Sequence, residues 1–366
     1  MKFDPSRTFW PSSPCAGPGN YADNWKNDAQ GDMHNWQVWS QEKPFSEYRK
    51  YRPRFCSEFG FQSFPSREVA ETFCRSADVR SGHPDFEWHQ KNIGGNDRIR
   101  NPFSRNFHEP KDMDATLYLS QVQQSLAIKT AVEGWRAQRP RCMGTLFWQL
   151  NDNWPVASWS SIEYGGKWKH LHHQARRFYA PVAVVALGEL AGESVDPSKG
   201  QIVALNDTAE TLTGELTVER WTYDGRIVAA KTIPVVLQPD SATKVDAFVR
   251  AVSECPDFLV LSLKTARGVA LNDYHFAPYK DLPVGKAEVR AAVEGLGRET
   301  KVVLSTDKPA FFVWVNARSI RGEFSDNSFT LLPGRPKTLA FEGKDTGVSK
   351  EDLVESLSVV SLADTY

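Results

Sequence analysis

A chain of 366 residues is long enough for two or three domains with separate cores. Its 40% hydrophobic and 24% charged residues are ordinary for a globular protein, and a net charge of −1 without any long block of Lys or Arg argues against a nucleic-acid or anionic-lipid partner. No run of about 18 apolar residues offers a membrane span, and five widely spaced cysteines without a CxxC outline neither a disulfide framework nor a zinc site.

The opening stretch, MKFDPSRTFWPSSPC, lacks the apolar centre of a secretory signal. Unpaired thiols favour the cytoplasm, with a periplasmic or secreted setting left open. The first 50 residues are dominated by Pro, Gly, Asn, Asp and Trp and read as long loops, which the tryptophans make ordered. Ten of the 12 tryptophans fall within the first 168 residues: 10, 25, 36, 39, 88, 135, 148, 154, 159 and 168. Indoles serve as core residues, and their faces also stack on the C–H faces of sugars.

RFCSEFGF (54–61) and MGTLFWQL (143–150) read as short buried strands. Between them, Leu119, Val122, Leu126, Lys129 and Val132 recur at helical spacing, so residues 113–138 predict an amphipathic helix capped by Asp112 or Asp114 and ended near Pro140. Buried strands joined through a helix suggest an α/β sheet or (β/α) barrel, with chemistry at the carboxyl ends of the strands. Near Arg176–Pro181 the composition turns plain and β-branched. IVALND, GELTVERWTY, the Asp224–Gly225 turn, RIVAAKTIPVVL, KVDAFVRAV and FLVLSLKT fit one antiparallel sandwich; after a linker at Tyr279–Gly285, KVVLST, FFVWVNA and FTLLPG fit another. Neither carries visible site chemistry.

Three clusters in the first part could carry chemistry. Glu58 stands among Phe55, Phe59 and Phe61, where a carboxylate costs several kcal/mol unless it is satisfied. A glycosidase nucleophile is one reason for such a placement; a plain ion pair with Arg49, Arg52, Arg54 or Arg67 is the other. GDMHNWQVW offers Asp32, His34, Trp36 and Trp39, a polar donor beside aromatic plates or an ordinary structural loop. FWQLNDNWPVASWS joins Trp148, Gln149, Asn151, Asp152 and Trp154 in the style of a carbohydrate subsite, although Asn–Asp–Asn is also common turn chemistry. No His spacing suits a metal, and His172–His173 are adjacent.

SEFGFQS, GDMHNWQVW, FWQLNDNWPVASWSSIEYGGKWKHLHHQARRFYAPV and IRGEFSDNSFTLLPG together resemble the β-mannosidases of glycoside hydrolase family 2 over nearly the whole chain. The resemblance implies a partial (β/α)8 TIM barrel over residues 1–178, followed by immunoglobulin-like β-sandwiches at 179–279 and 280–366. It implies Glu58 as the retaining nucleophile, Trp36 and Trp148 lining the mannose subsite, and His34, Asn151 and Asp152 as polar contacts or supports. It implies no metal or organic cofactor and a β-mannoside substrate; charge and hydropathy, as above, argue for no nucleic-acid and no membrane partner. The N-N-E-like acid/base motif expected upstream of WPSSP is missing from these residues. A truncated or split member, completed by an upstream polypeptide, is therefore expected; an exo-β-glucosaminidase, a β-galactosidase or a non-catalytic carbohydrate-binding remnant is the rival.

Overall fold

The computed structural model describes residues 4–7, 9–23, 27–192, 194–250, 256–295, 300–345 and 349–366; Trp25, Cys255 and the end of KVDAFVRAV lie outside them. A hairpin of β1 (Cys15–Gly17) and β2 (Asn20–Asp23) precedes a three-stranded parallel sheet. That sheet has the order β3 (Met33–Asn35), β4 (Cys56–Phe59), β5 (Thr145–Phe147), and a long helix, Met113–Arg136, lies in the connection from β4 to β5. Asp112 caps the helix by accepting from Ala115 N at 2.8 Å.

The helix is not amphipathic. After Asp114 no position on it is exposed, and Ser120, Gln121, Gln123, Gln124 and Ser125 are buried along with its leucines and valines. A helix covered on every side must find internal partners for its buried polar groups, and this one finds most of them by gripping the chain beyond β4, Gln123 Oε1 being left without one. Gln124 Nε2 donates to Phe61 O at 2.9 Å and accepts at Oε1 from Ser63 Oγ at 2.9 Å, while Phe64 N donates to Ser120 Oγ at 3.0 Å. Trp135 packs edge-on to Phe59 and Tyr48, with its indole N–H on Tyr48 O at 3.1 Å. The strand that carries Glu58 is thus fastened from the helix side.

The reading of 143–150 as a buried strand is corrected. β5 is the last strand of its sheet, and the residues on and around it stand open: Met143 is 50% exposed, Leu146 57%, Trp148 45% and Leu150 57%. An apolar run predicts burial only where another layer covers it; here Phe147 packs on Tyr179, while among the described residues nothing covers Leu146 and Leu150 to the same degree.

The remainder is antiparallel. One sheet orders β10 (Ser241–Val249), β7 (Ser194–Asn206) and β6 (Val182–Ala191); it faces a sheet of β12 (Gly268–His275), β11 (Asp257–Thr265), β8 (Leu212–Thr222) and β9 (Ile227–Leu237). Their shared core holds Ile202, Leu216, Leu237, Leu261 and Leu263. Gly225, with φ +96°, turns β8 into β9. A second pair orders β13 (Val289–Glu294), β14 (Lys301–Thr306), β18 (Lys337–Gly343) and β16 (Gly322–Phe324) against β17 (Phe329–Leu331), β15 (Ala310–Ala317) and β19 (Leu357–Val360), around Val302, Leu304, Val313 and Leu339. Among the described residues no helix is long and apolar enough to cross a membrane.

The helix His170–Phe178 ties this last unit to the first. Arg177 pairs with Asp326 at 2.6 Å and donates to Asn327 O at 2.9 Å; Gln174 donates to Ser328 O, and His170 stacks on Trp314 with ring centroids 4.3 Å apart. Burial pushes Asp326 upward, but Arg177 and Lys337 outweigh it and hold the carboxyl below its ordinary range. The SDNS segment of the downstream motif is therefore a docking loop.

Candidate active site

β4 alternates its side chains between two faces. Phe59 turns to the helix and Tyr48, whereas the side chain of Glu58 keeps 33% of its surface exposed. Its placement among phenylalanines is a consequence of alternation rather than of burial. None of the four candidate arginines is its partner. Trp36 donates from Nε1 to Glu58 Oε2 at 3.2 Å, and His34 Nδ1 lies 3.3 Å from the same oxygen. Both come from the neighbouring strand: His34 sits beside Glu58 in the parallel register of β3 and β4, and Trp36 follows β3 directly. Trp39, from the same motif, is core, packed on Phe61 and Trp159.

A second carboxylate stands behind His34. Asp32 Oδ1 accepts from Cys15 N at 2.9 Å and Trp10 Nε1 at 3.1 Å, and Oδ2 from Ser57 Oγ at 2.5 Å and Ser13 Oγ at 2.6 Å. Burial pushes this carboxyl up, yet the four donors together hold it below its ordinary range. Ser13 Oγ also lies 3.1 Å from His34 Nε2. Ser13, Ser57 and Trp10 escaped the sequence reading because a hydroxyl or indole in a loop has no periodic signal; the position of Ser57 beside Glu58 was the only hint.

Gly60 sets the floor. A Cβ there would meet Trp148 O at 2.6 Å and the rings of Trp36 and Trp159 at 3.0 Å, so the chain can bring these tryptophans together only over a glycine. Trp148 N donates to Phe59 O at 2.8 Å at the end of the β4–β5 pairing, and its peptide to Gln149 is cis. The backbone of Trp148 and the ring of Trp36 thus meet over Gly60, one residue past Phe59 and two past Glu58.

Asn151 and Asp152 lie in the loop beyond. Asp152 is buried and accepts from Ser158 Oγ at 2.9 Å and Ser160 Oγ at 2.5 Å, with Gln149 Nε2 at 3.4 Å. Asn151 is exposed and pairs with Ile162 in an isolated parallel bridge. This carboxylate organises the loop after Trp148 rather than bonding the Glu58 cluster. A cleft of about 930 Å³ opens elsewhere, between the helix His170–Phe178, β12 and β17; its Arg177 and Lys129 face Asp326 and Asp273, and no member of the Glu58 cluster lines it. Among the described residues no group of three or more His, Cys, Asp or Glu is gathered as for a metal ion.

The Glu58 carboxylate is thus partly exposed, bonded at one oxygen by Trp36 and set beside His34. Comparison with known proteins bears on the chain as a whole. The Mannosidase Ig/CBM-like domain family matches residues 198–281, and the Ig-fold domain family of mannosidases matches residues 284–365. The β-mannosidase of Capra hircus is 32% identical over the full chain, which covers 44% of that relative's length, and the β-mannosidase of Bos taurus gives the same figures. The crystal structure of β-D-mannosidase from Dictyoglomus thermophilum superposes with a TM-score of 0.86 at 27% identity, over 98% of this chain and 43% of that one. The chain belongs with the β-mannosidases of glycoside hydrolase family 2. This family member spans less than half the length of the curated relatives it matches. The exo-chitosanase of Amycolatopsis orientalis, at 15% identity and a TM-score of 0.64 over 83% of this chain and 41% of that one, shares the fold.

Proposed function

We propose that this chain is the carboxyl-terminal part of an exo-acting, retaining β-mannosidase that removes terminal non-reducing β-D-mannose. In this reading residues 1–178 form the last portion of a (β/α)8 barrel, with immunoglobulin-like sandwiches at 179–279 and 280–366. The observation that carries it is the Glu58 carboxylate, one-third exposed near the end of β4, with Trp36 bonded to one oxygen and His34 beside it.

Glu58 would attack the anomeric carbon as the glycosidic bond breaks, and water would then hydrolyse the glycosyl ester, returning the carboxylate. Trp36 and Trp148 would flank the sugar; Asn151 and Asp152 would hold the Trp148 loop in place. The leaving oxygen needs a proton from a second carboxyl group about 5 Å from the first. Asp32 is ill suited, since four donors keep it ionised. We assign the proton donor to polypeptide outside residues 1–366, which would also cover the open face of β5; the 44% coverage of the relatives supports this.

The test combines the chain with polypeptide carrying the rest of the barrel and measures release from aryl β-mannosides. A fluorinated mannosyl inhibitor should label the peptide containing Glu58. Label on another residue would overturn the assignment, and preference for aryl β-glucosaminides or β-galactosides would overturn the substrate.

A further inference from the structure

The chain beyond β4 and the loop beyond β5 meet in a row of stacked rings. Phe73 and His89 lie face to face, with centroids 3.8 Å apart and planes within 6° of parallel. Trp154 stacks on His89 in turn, at 4.9 Å. The next place is taken by the Lys91 ammonium, 5.4 Å from the ring centroid of Trp154 and 3.4 Å from that of Trp88. Trp88 ends the row and is 69% exposed.

The segment that carries Trp88 is pinned on both sides. Glu87 accepts from Gly82 N at 2.8 Å and Asn96 Nδ2 at 2.6 Å, and Gln90 Nε2 donates to Gln62 Oε1 at 2.8 Å. From the loop after β5, Pro155 O accepts from His89 Nδ1 at 2.6 Å, and Ala157 N donates to His89 O at 2.9 Å. Gln62 is four residues beyond Glu58, so chain length alone keeps the two within about 14 Å. Trp88 is two residues from Gln90, which places it within the span of a short oligosaccharide from the carboxylate, on the side of the sheet where β4 and β5 end.

An indole held in water by fixed neighbours needs little further ordering when a ligand arrives, and its face matches the C–H face of a sugar. With the terminal mannose at Glu58, the rest of an oligosaccharide has to run outward over these loops. Resting on the β-mannosidase reading, we propose that Trp88, backed by Lys91 and Trp154, is a platform for a neutral sugar ring on the leaving-group side of the substrate. The Lys91 ammonium disfavours a protonated amino sugar there by like-charge repulsion.

The test uses the 366-residue chain with ¹⁵N-labelled tryptophan and β-1,4-linked mannohexaose as probe, the indole signal of Trp88 being assigned by Trp88→Phe. Millimolar hexasaccharide should shift that signal in wild type and in Glu58→Gln alike, and Trp88→Ala should weaken binding measured by calorimetry roughly three- to tenfold. An unmoved Trp88 signal, or unchanged affinity in Trp88→Ala, would overturn the platform. Equal affinity for a glucosamine hexasaccharide below neutral pH would overturn the preference for neutral sugars. In the completed enzyme, Trp88→Ala should raise the ratio of KM for mannohexaose to KM for an aryl β-mannoside by the same factor; an unchanged ratio would mean that the completing polypeptide covers the indole, and the proposal would fall. The shift needs no turnover and inhibitor labelling of Glu58 needs no oligosaccharide, so either idea can fail without the other.

Discussion

The two ends of this molecule treat the same kind of sequence differently. In the sandwich around Leu304, apolar strands meet a partner sheet, and Val302, Leu304, Val313 and Leu339 are wholly buried. Around β5 an equally apolar run leaves Leu146 and Leu150 more than half exposed. The difference lies in coverage: one region is closed within these residues, and the other has one face built and one face open. The open face is also where the carboxylate and the indoles stand.

The largest expected effect falls on the open region. In the completed enzyme Glu58→Gln should lower turnover of aryl β-mannosides by roughly 10³-fold or more, while thermal unfolding of the chain alone changes little because the side chain is partly solvated. Next comes a direct test of the contrast. Leu304→Ala should destabilise the chain by about 2–5 kcal/mol in denaturant titration, and Leu146→Ala by no more than about 0.5 kcal/mol; equal costs would mean that the face at β5 is covered after all. Gly60→Ala should cost about 1–3 kcal/mol, since its methyl group collides with Trp148 O, and should alter the near-ultraviolet signal of the clustered tryptophans.

The smallest effect concerns the docking loop. The carboxyl of Asp326 is depressed in the folded protein, so its contribution is present above the ordinary value of 3.8 and is lost as pH falls through the lower folded value. The stability difference between wild type and Asp326→Asn should therefore be near its full size at neutral pH, about 1–2 kcal/mol, and shrink on acidification below about pH 4. A difference that grows in acid would reverse the sign assigned here.

Much of this was legible in the sequence, for identifiable reasons. The helix at 113–136 announced itself through spacing and Asp112, and the β-branched runs after residue 180 through alternation and the Asp224–Gly225 turn. Spacing offered His34 and Trp36 either as a donor beside an aromatic plate or as a structural loop, and only the family resemblance implied a site; in the fold both lie against Glu58 Oε2. What stayed hidden depends on neighbours. The glutamines and serines of the long helix looked like a solvent face, because nothing local says that Phe61 and Phe64 will offer them backbone partners. Burial of 143–150 was misjudged for the complementary reason: hydrophobicity records what a strand would pack against and not whether that layer is present. Asp32 was seen, but its role waits on Ser13 and Ser57, which only folding brings to it.

The long helix has a mechanical consequence. Near its start Tyr118 bonds Phe312 O in the last sandwich at 2.7 Å; near its end Glu133 accepts from Asn272 at 2.8 Å and Arg136 reaches Asp207 at 2.9 Å in the middle one. One rod is thus bolted to both sandwiches while its flank clamps the strand that bears Glu58. Heat absorbed anywhere along this chassis should be felt by all three units at once, and the sandwiches act as outriggers that keep the strand bearing Glu58 from swaying.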